Sequence, residues 1–578
     1  MIPAVERGWV DGVPVLRAGS ASGRNAAALV FRVGHFDEAL PGAGITHLIE
    51  HLALGGTPKA PYQFNAAVSG RFTAFFMESP DPADTADFVA RVCHGLATDS
   101  SASLDREKRI LRTEAASRGG AGALGLCLNE RYGATGPGLR AYEEYGLRRL
   151  GWQEIDTWRR RWFVAGNAVL WIHGTVPHGL RIELPSGPAP AATPLRPTAT
   201  RLPGFVLAGS GGIGMSLAGR QSVAATVTLD ILQERMTQVL RHDYGLSYGV
   251  TAASEPLDSD MTHTWLVADA LPEQVPMVAH TMLATFEGLA EDGGTDAEAR
   301  DYARRLRDAY ESPSGPAMIL HRQAQSILSA RPVREPGETL RAVSEVDRKA
   351  VSEVAGELLG QAIVATPQLI PAVQGRMPRL PLWSAEMITG AEHMSQQSGA
   401  TLTVGRQGVM LTAQGGQHVT VRAGALAALL RWNDGKRALI GTDGFIVQLD
   451  PADWPDGDAV LRSIEASVAR SLVVDIDSPG PERPRQDKRT AGAAQPAQPV
   501  QPSGPAAAPG KGTRSIGWGS RIIRALWVVL IIVGLLAILG SDLSGGAGFA
   551  AVGMAGLAGQ QLMIRRRIQR LGDSGRRG

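Results

Sequence analysis

The chain of 578 residues carries 58 Lys and Arg against 56 Asp and Glu, a formal net charge of +2. That balance leaves no electrostatic footprint for nucleic acid, and 44% hydrophobic with 20% charged residues is a globular rather than a disordered composition. Two cysteines, Cys93 and Cys127, exclude a disulfide framework and a cysteine-based metal cluster and favour a reducing compartment; the length predicts about three or four domains.

The first residues lack a basic segment followed by an apolar run, so no signal peptide is expected. Residues 1–185 read as one α/β domain. Runs 13–16 and 26–33 are expected as strands, and 167–174 as a last apolar strand. Between them, His47-Leu-Ile-Glu50-His51 places two imidazoles four residues apart, on one face of a helix and one turn apart. Two neutral imidazoles so held make half of a zinc site, and Glu50 beside them can act on water without being a ligand. The competing reading is an amphipathic helix in which Ile45, Leu48, Ile49 and Leu52 form a buried stripe.

The flanks decide between these. Phe36-Asp-Glu-Ala-Leu-Pro-Gly-Ala-Gly-Ile before the motif and Leu54-Gly-Gly-Thr57 after it resemble the pitrilysin/insulinase family of zinc peptidases, the inverzincins. The resemblance implies one Zn2+ per chain, with His47, His51 and a downstream glutamate as ligands and Glu50 as general base. The run 105–114 is similar to the family's second signature, with glutamates seven residues apart on one helix face. It implies Glu114 as the third ligand and Glu107 as a partner behind a histidine. The gap from His51 to Glu114 is shorter than is usual in the family; Glu130 stands nearer the customary distance and is the alternative, although its neighbours look like the loop after the ligand helix. For each glutamate the plain reading is a solvated helix face.

Residues 70–78 are β-prone. By the resemblance they hold the edge strand that pairs with an extended substrate, through Phe72, Thr73, Ala74 and Phe75, where the family has an Asn-Ala pair. The alternative is an internal strand packing Phe72, Phe75 and Phe76. A Pro/Ala-rich stretch, 184–197, reads as a stiff interdomain linker. Residues 198–374 read as a second α/β domain, which the resemblance implies is metal-free. Within it Arg241 and Tyr248, seven residues apart around Gly245-Leu-Ser, are similar to the family's arginine and tyrosine that reach the substrate at the zinc. A cation and a phenol suit a developing oxyanion; a capping arginine and a core tyrosine are the alternative.

The expected fold class is therefore α+β: two tandem family-type α/β domains forming half a clamshell, followed by regions the family does not have. The missing half implies a homodimer or a related partner subunit. Residues 378–477 hold short β-like runs and a helix expected at 458–468, a pattern similar to a pleckstrin-homology-like barrel. Residues 478–514 read as a disordered linker. Apolar runs within 521–567, bracketed by arginines, predict a transmembrane hairpin ahead of a basic tail, 568–578. The expectation is an integral membrane protein with a C-terminal anchor in the lipid bilayer and a cytoplasmic catalytic region, a zinc-dependent endopeptidase of peptides or unfolded protein segments. Its rivals are a catalytically inactive scaffold subunit and a β-rich block that is itself the binding unit.

Overall fold

The structure is a computed structural model, and it describes residues 4–477 apart from 21–22, 56–59, 119–121, 200, 209–210 and 396. The first unit contains β1 (Glu6–Val10), β2 (Val13–Ala18), β3 (Asn25–Phe31), α1 (Ile45–Gly55), β4 (Gln63–Val68), β5 (Thr73–Ser79), α2 (Ala83–Ala97), α3 (Leu104–Arg118), α4 (Gly122–Tyr132), α5 (Gly146–Arg149), α6 (Trp152–Trp162) and β6 (Ala168–His173). Its six strands form one sheet in the order β1-β2-β6-β3-β5-β4. One face carries a core in which Leu29, Phe31, Phe75 and Leu170 pack against Leu48, Ile49 and Leu52 of α1. The apolar stripe read from the sequence is thus real, and it is what seats the histidine helix on the sheet.

The second unit follows as β7 (Gly204–Leu207), β8 (Gly212–Arg220), α7 (Val223–Thr237), β9 (Val250–Pro256), β10 (Met261–Asp269), α8 (Val275–Asp292), α9 (Asp296–Glu311), α10 (Gly315–Leu328), α11 (Pro336–Ser344), α12 (Arg348–Gly360), β11 (Ile363–Thr366) and α13 (Pro371–Gln374). Its sheet runs β7-β11-β8-β10-β9. The two units share buried contacts. Ala317, Leu320 and Ala324 of α10 pack on the outer face of the first sheet against Val30, Val169 and Trp171, and the buried Arg131 of α4 donates to the carbonyls of Ser216 (3.0 Å) and Gln361 (2.6 Å).

The stretch expected as a stiff interdomain linker is tied to the first unit by hydrogen bonds. Asp37, whose carboxylate is fully buried, meets both Arg32 and Arg71 at 3.1 Å. It also accepts from the backbone N–H of Thr193 at 3.2 Å, while Arg71 donates to the Thr193 carbonyl at 3.0 Å. Two cations on one carboxylate leave an acceptor and donors for the passing backbone, so the linker is fixed by the same hydrogen bonds that satisfy a buried charge.

A third, β-rich unit contains β12 (Ala391–Met394), β13 (Thr401–Gly405), β14 (Gly408–Thr412), β15 (His418–Arg422), β16 (Leu426–Trp432), β17 (Arg437–Gly441), β18 (Ile446–Leu449), α14 (Gly457–Ala466) and β19 (Val473–Ile476). Two four-stranded sheets, β12-β13-β14-β15 and β18-β17-β16-β19, share one core with α14. The sequence reading ended this block on the helix; instead β19 follows α14 and pairs parallel with β16, Leu429 opposite Val473.

Among the described residues no helix is long and apolar enough to cross a membrane. The linker 478–514, the hairpin expected within 521–567 and the tail 568–578 lie outside the described residues. The expectation of an integral membrane protein with a cytoplasmic catalytic region is corrected accordingly, since no described helix provides the anchor.

Candidate metal centre

The site is built on α1. Its first turn is capped by Glu38, which accepts from the N–H groups of Gly44 (2.7 Å) and Thr46 (2.9 Å). Free N–H groups at a helix start attract an anion, yet burial wins here and pushes the Glu38 carboxyl up to about 7. One turn on, His47 and His51 stand edge to face, ring centroids 5.1 Å apart.

Each ring is held from behind by a carboxylate. His47 Nδ1 lies 2.9 Å from Glu144 Oε1, and His51 Nδ1 lies 3.4 Å from Glu107 Oε2. A carboxylate accepts from an Nδ1–H, an arrangement that turns each Nε2 toward the site as the ligand nitrogen. The two Nε2 atoms face the same carboxylates. Glu50 Oε2 is 3.9 Å from His47 Nε2 and 3.8 Å from His51 Nε2. Glu114 Oε2, reaching over from α3, is 4.0 Å and 3.7 Å from the same atoms. His47, Glu50 and His51 offer ligand atoms all within 4.8 Å of one another. Tetrahedral zinc with N and O ligands sets its donor atoms roughly 3.3 Å apart, so the two Nε2 atoms with the Glu114 carboxylate, 4.0 and 3.7 Å from them, fit a zinc ion with a small inward movement.

The sequence-predicted residues His47, Glu50, His51, Glu107 and Glu114 are therefore brought together. Glu130 stands on α4, the helix whose Arg131 and Cys127 pack against the second sheet. Arg241 and Tyr248 keep company with each other. The Arg241 guanidinium sits 4.9 Å from the Tyr248 ring centroid, and the Tyr248 N–H bonds Asp269 at 3.1 Å. The tyrosine is 68% exposed, so the core reading does not describe it.

The expected substrate strand is corrected. Phe72 precedes β5, and Thr73, Ala74 and Phe75 lie on it, paired to β3 on one side and β4 on the other. A strand bonded on both sides has no main-chain groups left for a peptide. Phe72, Thr73 and Phe75 are also buried, which makes the run an internal strand. The open edge next to α1 is β4, and it carries the Asn65-Ala66 pair. Sequence reasoning also missed Glu144 and Glu38. Glu38 lay within the family-like flank six residues before Gly44 and could have been read as a helix-start acid; Glu144, 97 residues from His47, had no local signal.

The fold is one that this chain shares with M16-type peptidases of known structure. A scan against family models and a search of curated proteins find no match. Among solved structures the chain is similar to an inactive domain of an M16 peptidase from Pseudomonas fluorescens, at 16% identity and TM-score 0.54, covering 63% of this chain and 99% of that one. It is similar to a protease from Helicobacter pylori at 15% identity and TM-score 0.54, over 64% of this chain and 100% of that one. It also resembles the periplasmic protease PqqL of Escherichia coli at 14% identity and TM-score 0.51, over 72% of this chain but only 55% of that one. At these identities the likeness establishes the fold.

Proposed function

We propose that the chain is a zinc-dependent endopeptidase that cleaves peptides or extended protein segments. The observation that supports it is the convergence of two Nε2 lone pairs and the carboxylates of Glu50 and Glu114, each Nε2–Oε2 distance being 4.0 Å or less. A scaffold subunit has no need of four such groups around one point.

In this reading His47, His51 and Glu114 hold the metal, with Glu144 and Glu107 fixing the two rings. Zinc supplies Lewis acidity, which makes water a usable nucleophile at neutral pH. Glu50 takes the proton from the attacking water and returns it to the leaving amine. The peptide adds as a strand on the open edge of β4, along Asn65 and Ala66, and the main-chain pairing presents its carbonyl to the site. Arg241 and Tyr248, exposed and stacked, meet the substrate from a second half-shell, supplied by another copy or a related subunit, and stabilise the oxyanion. The test is the zinc content of the purified full chain together with hydrolysis of an unstructured protein; about one zinc per chain with cleavage lost on chelation is expected. No zinc after saturating addition would move the assignment to the scaffold reading.

A further inference from the structure

The β-rich unit does not hang off the peptidase-like part; it lies against the segment that delivers Glu144. Tyr142 and Tyr145 flank that glutamate and pack into one apolar cluster with Ala428, Leu430, Ile440 and Val474 of the β-rich unit. Backbone contacts lock the same surface. The Ala134 N–H donates to the Thr442 carbonyl at 3.1 Å, and a Cβ on Gly133, at φ +62°, would lie 2.0 Å from that oxygen, so the chains meet where only glycine fits. At the end of β19, Arg148 of α5 faces Asp477 at 3.6 Å.

The other side of this segment presses on the start of α1. The Gly146 N–H donates to the Ala43 carbonyl at 2.9 Å. Gly44, at φ +93°, comes so close to Glu144 that a Cβ there would stand 2.8 Å from the glutamate's own Cβ. Leu40, two residues beyond the capping Glu38, belongs to the same cluster as Ala428 and Leu430. Residues 142–146 are thus a spacer clamped between the β-rich unit and the histidine helix, with Glu144 projecting from it onto His47.

We propose that the β-rich unit is a working part of the histidine site. Its seating fixes the 142–146 segment, the segment sets the Glu144–His47 hydrogen bond, and the bond orients His47 for metal. Glu144 is a positioning residue in this scheme. The consequence for zinc rests on the peptidase reading, whereas the mechanical link does not, and the two are tested separately.

Hydrogen exchange of the metal-free full chain reads the link. Leu430→Ala is expected to speed exchange at 142–149 and also at 44–48, with Ile440→Val as the milder variant should the first fail to fold. Faster exchange confined to the β-rich unit in both variants overturns the proposal. Zinc affinity, by competition with a chromophoric chelator, reads the consequence. Glu144→Gln is expected to weaken binding about 10- to 100-fold, the usual range for a partner behind a metal ligand. Leu430→Ala is expected to weaken it several-fold, and the double variant no more than Glu144→Gln alone. Losses that multiply would show that the β-rich unit acts by another route and overturn the scheme. A wild-type chain that binds no zinc, together with faster exchange at 44–48 in the variants, overturns the peptidase reading and sustains the link.

Discussion

Replacing Glu50 by Gln tests the division of labour between the two carboxylates at the histidines. Distance ranks them equally: Glu50 Oε2 stands 3.9 and 3.8 Å from the Nε2 atoms, Glu114 Oε2 4.0 and 3.7 Å. Their settings differ. The Glu50 side chain is 8% exposed and comes from the same helix as both histidines, whereas Glu114 is 41% exposed and reaches in from α3. Gln keeps the shape of Glu50, so the packing beneath α1 persists, but an amide cannot accept the proton of an attacking water. General-base assistance is worth about 10²- to 10⁴-fold, or about 3–5 kcal/mol of activation barrier. The expected result is therefore zinc retained near one per chain, measured by atomic absorption on the full-length protein, with cleavage of a fluorogenic peptide reduced at least a hundredfold. Turnover within tenfold of wild type, with zinc in place, would refute the role of Glu50. Loss of zinc would refute it differently, by making Glu50 a ligand.

The companion variants separate the remaining acids: Glu114→Gln should abolish stoichiometric zinc and Glu130→Gln should leave it unchanged, and the reverse pattern would transfer the ligand role to α4. Mixing Glu50→Gln chains with Arg241→Ala chains should recover about a quarter of wild-type activity if the second half-shell is another copy, because random C2 pairing gives half mixed dimers with one complete site each; no recovery after subunit exchange would exclude that arrangement. Gly95 on α2 touches α1 so closely that a Cβ would lie 2.0 Å from the Ala53 carbonyl. Gly95→Ala should cost about 1–3 kcal/mol in denaturant unfolding, and an unchanged midpoint would mean that the helices part freely. His321 accepts from the Trp171 indole N–H at 3.3 Å, and burial lowers its pKa to about 4. The unfolded chain takes up this proton near pH 6.5 and the folded one only near 4, so stability is full above 6.5 and falls as pH drops through that window, by at most about 3 kcal/mol. His321→Gln should flatten the acid limb of the unfolding midpoint, and an identical limb would assign the acid sensitivity elsewhere.

By itself the sequence determined what local periodicity determines. A four-residue spacing fixes His47 and His51 on one helix face, a seven-residue spacing puts Glu107 and Glu114 on another, and the apolar runs 13–16 and 26–33 became β2 and β3. The M16-like mixed α/β fold was implied by the family resemblance those motifs carry. Only the tertiary structure decided which strand has an open edge. The run of β5 is β-prone, and nothing local in Phe72-Thr-Ala-Phe75 says that β3 and β4 will occupy both of its sides; being an edge is a property of neighbours. The same holds for Glu144, brought to His47 across 97 residues by a segment wedged between α1 and the β-rich unit. It holds too for Asp37, whose burial between two arginines turned an apparent spacer into fixed chain. Charge burial, edge status and second partners of ligands are set by contacts distant in sequence, and those exist only once the chain has folded.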